Sequence, residues 1–191
     1  MRRLITVIVL LFVFGSATNL HASRVEWSVG DGNNGHFYEP VALTQAITWI
    51  DARDAAVAAG GYLCTITSVE ENKFVFDLVK DLPEMWRDEN GATGPWLGGY
   101  QENKDSEPAG GWRWVTDEDW GYTNWSPGQP DNMANVEDWL HFHGTQYPYQ
   151  WNDVGYYLDL PHSYIVEYVP EPATILLLGL GGLSLLRRRK M

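Results

Sequence analysis

Trp96-Leu97-Gly98-Gly99-Tyr100 and, one loop later, Trp112-Arg113-Trp114-Val115-Thr116 decide how the rest of the chain is read. Each is a short run of aromatic and β-branched residues bounded by Gly, Pro, Asp or Asn, the pattern of a short strand between turns. The pattern recurs downstream at Trp139 to Phe142 and Tyr164 to Tyr168. Upstream the period changes. From Thr44, the residues Ala46, Ile47, Ile50, Ala55 and Ala58 recur at roughly helical spacing, and Gly60-Gly61 ends the run. Tyr62 to Ile66 reads as a strand, as does His36-Phe37-Tyr38 before the helix. Ser68 followed by Glu71 has capping-box spacing and opens a second helix with Phe74, Val75, Leu78 and Val79 on one face, closed by Pro83. Two helices, short antiparallel strands and one long loop make an α+β architecture.

The composition agrees with a folded, loop-rich domain. The 191 residues include ten Trp, ten Tyr and nineteen Gly, and 45% are hydrophobic, too many for a disordered chain. The formal net charge is −12, and the part between the ends is more acidic still, because Arg2, Arg3, Arg187, Arg188, Arg189 and Lys190 are terminal. Such a surface repels nucleic acid and suits divalent cations. Cys64 is the only cysteine, so no intramolecular disulfide forms. Its position after Gly60-Gly61 predicts a small buried core residue.

Both ends read as addresses. Arg2-Arg3, the apolar run Leu4 to Phe14 and the small residues Gly15-Ser16-Ala17 have the order of a secretory signal peptide, spanning residues 1–22 with cleavage after Ala17 or Ala22. At the other end, Pro170-Glu171-Pro172 precedes the apolar run Ala173 to Leu186 and then Arg187-Arg188-Arg189-Lys190. The run is shorter than the roughly twenty residues a spanning helix needs. The segment 169–191 resembles the PEP-CTERM sorting signal of exopolysaccharide-producing Gram-negative bacteria. That resemblance implies a transient inner-membrane anchor, processing near Pro170 to Pro172 by an exosortase-type enzyme, and a final location at the cell envelope or extracellular surface.

Between the ends, residues 23–168, several motifs stand in a fixed order: Gly60-Gly61-Tyr62-Leu63, Thr67-Ser68-Val69-Glu70-Glu71-Asn72, Trp96-Leu97-Gly98-Gly99, Trp112-Arg113-Trp114-Val115-Thr116, Tyr122-Thr123-Asn124-Trp125, Gln129-Pro130-Asp131, Glu137-Asp138, Trp151-Asn152-Asp153 and Tyr164-Ile165-Val166-Glu167. In this order the region resembles the C-type lectin-like domain from about Gly35 to Tyr168. The resemblance implies a calcium-dependent carbohydrate-binding module. The family usually carries two disulfides, and here Trp139 stands where a cysteine is customary.

Calcium takes six to eight oxygen ligands. The resemblance assigns it the side-chain oxygens of Gln129, Asp131, Glu137, Asn152 and Asp153 with the Asp153 carbonyl, and the same five residues would hold sugar. Asp131, Glu137 and Asp153 supply three negative charges. In lectins of this family the proline between the paired ligands is cis. Gln-Pro-Asp goes with galactose-type hydroxyls, Glu-Pro-Asn with mannose-type. Galactose-type members also rest the sugar on an aromatic ring; Trp139, Tyr147, Tyr149 and Trp151 are near in sequence, but Met133-Ala134-Asn135 replaces the usual Trp-bearing segment.

Other chemistry has weaker support. Glu137 and Asp138 are adjacent and point to opposite faces of a strand, the wrong arrangement for a glycosidase pair. His141 and His143 lack a third ligand at suitable spacing for zinc and read as surface or partly buried residues. The chain is therefore expected to be no enzyme. The rival reading is a non-catalytic surface or matrix scaffold, or a lectin-like domain that binds protein without a working calcium site.

Overall fold

The computed structural model describes residues 20–21, 23–87, 93–155 and 160–170. The signal-peptide residues up to 19, together with Glu171, Pro172 and the tail after them, lie outside the described residues. Among the described residues no helix is long and apolar enough to cross a membrane.

The elements in chain order are β1 (Leu20–His21), β2 (Val25–Glu26), β3 (Phe37–Ala42), α1 (Trp49–Ala58), β4 (Tyr62–Leu63), α2 (Val69–Val79), β5 (Trp96–Gln101), β6 (Trp112–Trp114), β7 (Glu137–Phe142), β8 (Trp151–Gly155) and β9 (Ser163–Tyr168). They form one sheet with the path β1-β3-β9-β5-β7-β8, with β2 on β3, β4 on β9 and β6 on β5. Nearly all pairs are antiparallel; β5 and β9 meet in parallel at Trp96 and Tyr164. This is the expected α+β arrangement of two helices and short strands.

The helices differ in detail from the sequence pattern. Helix α1 begins at Trp49, capped by Thr48, whose side chain accepts from the Asp51 amide. Trp49, Ala52 and Ala56 are buried, whereas Ile50 is exposed. The apolar spacing read from Thr44 therefore named the wrong face. Small alanines let α1 sit close to the sheet, and the Trp49 indole Nε1–H donates to the Leu97 carbonyl at 2.7 Å. In α2 the Ser68 side chain caps the Glu71 amide at 3.1 Å, as predicted. Glu71 does not complete a capping box. Its carboxylate turns inward and accepts from the Thr67 amide and hydroxyl. Val75, Phe76 and Val79 form the buried face of α2, with Phe74 and Leu78 partly buried beside it.

Two apolar clusters fill the two sides of the sheet. One joins α2 to Trp86, Trp112, Trp114, Leu140, Phe142 and Trp151; the other joins α1 to Leu63, Trp96, Val154 and Val166. Cys64 is fully buried, as predicted. Gly98 is required by close approach: a Cβ there would meet the Leu63 carbonyl oxygen at 2.4 Å. The bonds Glu107–Pro108 and Gln129–Pro130 are cis.

Candidate metal and carbohydrate site

The end of the sheet at β7 and β8 carries the candidate site. Strand β8, which the sequence pattern had not marked as a strand, begins at Trp151. That indole is fully buried, and its Nε1–H donates to Asn72 Oδ1 on α2 at 2.8 Å. The Asn72 amide in turn donates to the Tyr149 carbonyl at 2.8 Å. This anchor fixes the two residues that follow, Asn152 and Asp153. On β7 an irregularity between Glu137 and Trp139 interrupts the pairing with β8. Glu137 is buried at 3% exposure. Asp138 instead reaches Lys104 at 2.7 Å. The two adjacent carboxylates thus serve different surroundings, as expected.

One oxygen from each of Asp131, Glu137 and Asp153 lies within 4.8 Å of the other two. Asp131 is exposed while the other two are buried. The loop wraps over them: the Asp131 and Asn132 amides donate to the two Asp153 carboxylate oxygens at 3.2 and 2.9 Å, and the Met133 amide donates to Glu137 Oε2 at 2.8 Å. Asn132 Oδ1 accepts from the Glu137 amide at 3.1 Å. The turn that makes this wrap has left-handed backbone at Asn132, Ala134 and Asn135. Burial pushes the Glu137 carboxyl well above the usual carboxylate range, with Asp153 and Asp131 adding like charge, and the Met133 amide pulling the other way. Burial also raises Asp153, against the loop amides.

The two remaining expected ligands, Gln129 and Asn152, are amides. Gln129 Oε1 and Asn152 Oδ1 are both buried and have no hydrogen-bond partner within the protein. Buried oxygens without donors are costly and call for a missing partner. Three carboxylates and two such carbonyl-type oxygens are the hard, all-oxygen donor set that calcium selects over softer metals. The residues fit the ion.

The predicted aromatic candidates separate. Trp151 is core, Tyr149 packs on Phe76 at 4.7 Å between centroids, and Trp139 faces Tyr100 across the strand pair. Tyr147 alone of the four is exposed, at 37%, and stacks on His143 at 4.1 Å and 12°. His141 corrects the sequence reading of a surface or partly buried residue: it is 1% exposed. Sequence reasoning also missed the loop amides, because backbone donors leave no mark in residue type. The left-handed turn at Asn132 was legible only as an Asn in a Pro-Asp-Asn sequence.

A family model for the C-type lectin domain matches residues 45–155, more than half of the chain, and one for the PEP-CTERM protein-sorting motif matches residues 169–190. The chain belongs to the C-type lectin family, whose domains are non-catalytic carbohydrate-binding modules, and ends in a PEP-CTERM sorting motif. It is 37% identical over 123 residues to a perlucin-like protein of Mytilus galloprovincialis, covering 63% of this chain and 68% of that protein. It is 33% identical over 113 residues to perlucin of Haliotis laevigata, covering 59% and 64%. Among solved structures it resembles the cow CD23 carbohydrate-recognition domain in the presence of a GlcNAc2Man3 oligosaccharide, with TM-score 0.54, 25% identity, and 71% and 89% of the two chains covered. A calcium-independent type II antifreeze protein shares the fold alone, with TM-score 0.55, 21% identity, and 78% and 96% covered.

Proposed function

We propose that residues 23–168 form an exported, calcium-dependent carbohydrate-binding domain of galactose type, acting at the cell envelope of a Gram-negative bacterium on exopolysaccharide or another surface glycan. The observations that carry this reading are the oxygen cluster of Asp131, Glu137 and Asp153 and the partnerless buried oxygens of Gln129 and Asn152. Gln129, Asp131, Glu137, Asn152 and Asp153 would hold the ion. Bound calcium supplies a positive centre whose remaining coordination positions accept two neighbouring sugar hydroxyls. The carboxylates accept hydrogen bonds from those hydroxyls, and the amide nitrogen of Gln129 donates one. The order Gln129-Pro130-Asp131 supports the galactose-type choice, since it sets which hydroxyl meets the amide and which the carboxylate. The tail implies exosortase-type processing after export.

Glycan-array binding of the purified chain, with calcium and then with chelator, tests the proposal. Retention of galactose-terminated glycans should need calcium, and Asp153→Ala should lose at least about tenfold in calcium affinity, as expected when a buried ligand is removed. Retention unchanged by chelator would favour the rival reading of a scaffold without a working calcium site.

A further inference from the structure

His141 is not among the expected ligands, yet it is buried against one of them, Asn152. It is the cross-strand partner of Asn152 in the β7–β8 pair and lies edge-on to Trp96, with centroids 6.0 Å apart at 79°. Its Nε2 is 3.1 Å from Asn152 Nδ2. An amide nitrogen only donates, so the ring nitrogen facing it accepts, and the ring proton of the neutral imidazole sits on Nδ1. Asn152 Nδ2 also donates to the Asp153 carbonyl at 2.6 Å. Both amide hydrogens are thereby committed, and Oδ1 is left as the one partnerless polar atom of the side chain.

We propose that His141 is a positioning residue that fixes Asn152 with its amide oxygen, rather than its nitrogen, free for the cation. The inference rests on the calcium reading above. The opposite ring tautomer would present N–H at Nε2, require Oδ1 as its acceptor and turn the amide N–H groups outward, where they cannot ligate a cation. Ring tautomer and amide orientation are therefore coupled, and the form protonated at Nδ1 is the one that leaves Oδ1 available. Packing alone does not explain a histidine here: Nδ1 is buried without a partner, an arrangement that an apolar ring of the same size would avoid. A second residue of the binding apparatus thus stands behind the first, as neighbours of metal ligands commonly do.

The test is a double-mutant cycle on the full chain, read as calcium affinity by calorimetry, with metal-free melting followed in parallel. His141→Phe keeps the ring and removes the acceptor. It should weaken calcium about tenfold or more, the usual cost of losing a partner behind a metal ligand. His141→Gln restores an acceptor at similar reach and should recover most of the affinity. In an Asn152→Ala background His141→Phe should change calcium affinity by less than about threefold, because the two act as one unit. A wild-type-like affinity for His141→Phe, or an equal loss with and without Asn152, overturns the positioning role. A loss of calcium that merely follows lower metal-free melting, without rescue by Gln, overturns it too. Failure of the wild-type chain to bind calcium overturns the calcium reading itself and this inference with it, so the two failures are distinct.

Discussion

At Glu137 and Asp153 burial and charge oppose each other, and on the proposed function calcium would reconcile them. Both carboxyls are held above their ordinary range, chiefly by burial. A group whose folded value is raised contributes stability below its unfolded value and loses it as pH rises through the folded one. In chelator these two groups therefore stabilise the domain less at pH 8, close to the folded value of about 8 for Glu137, than at pH 5.5. Protons also compete with calcium for the same oxygens. The rise in melting temperature on adding saturating calcium should accordingly be larger at pH 8 than at pH 5.5, and Glu137→Gln should flatten that difference. A native-state ligand at a hundredfold excess over its Kd adds about 2.7 kcal/mol. Scanning calorimetry at the two pH values is the check, and an equal calcium effect at both would contradict the assignment. The carboxylates themselves were legible in the sequence, since Asp131, Glu137 and Asp153 are the expected trio. The tautomer-bearing contact at His141 was not, because burial of a strand residue beside an irregular pairing cannot be read from alternation alone.

The link between α2 and β8 shows how a helix far along the chain sets the geometry of the site. Asn72 lies in the motif Thr67 to Asn72, and its side chain bridges the Trp151 indole and the Tyr149 carbonyl. Asn124 also donates to that carbonyl, at 2.7 Å, so the carbonyl keeps a partner if Asn72 is removed. The buried indole N–H would not. Asn72→Leu should then cost about 1–3 kcal/mol, the price of one orphaned buried donor. At about 2–4 °C per kcal/mol for a chain of this size, the melting temperature should fall by several degrees, with weaker calcium binding as Asn152 and Asp153 lose their anchor. Unchanged melting by circular dichroism would show that the bridge is dispensable. At this scale the sequence was informative about strands and about the existence of both helices. It misjudged the faces: the helix period put Ile50 inward, but α1 packs through Trp49, Ala52 and Ala56, because close approach to the sheet favours small side chains over branched ones. Strand β8 escaped notice because the polar Asn152 and Asp153 interrupt any apolar alternation from Trp151 to Gly155.

For the whole molecule the ends of the chain raise the remaining question. The backbone of Leu20 and His21 pairs with Ala42 and Val41 on β3. Cleavage after Ala17 keeps that strand, whereas cleavage after Ala22 deletes it. Mass spectrometry of the mature protein from its native host should find an N-terminus at Thr18 and no residues beyond the Pro170 to Pro172 region. A mature chain that begins at Ser23, or that retains Arg187 to Met191 on most molecules, would refute the respective half. The sheet also has a polarity that bears on how the domain is displayed. Phe37 pairs with Tyr168, so the chain enters β3 and leaves β9 side by side, and β5 stands between that pair and the β7–β8 end. The described chain thus leaves the sheet on one side of β5, with the Asp131, Glu137 and Asp153 cluster on the other. Under the proposed function, that separation would keep the carbohydrate site apart from the processed tail.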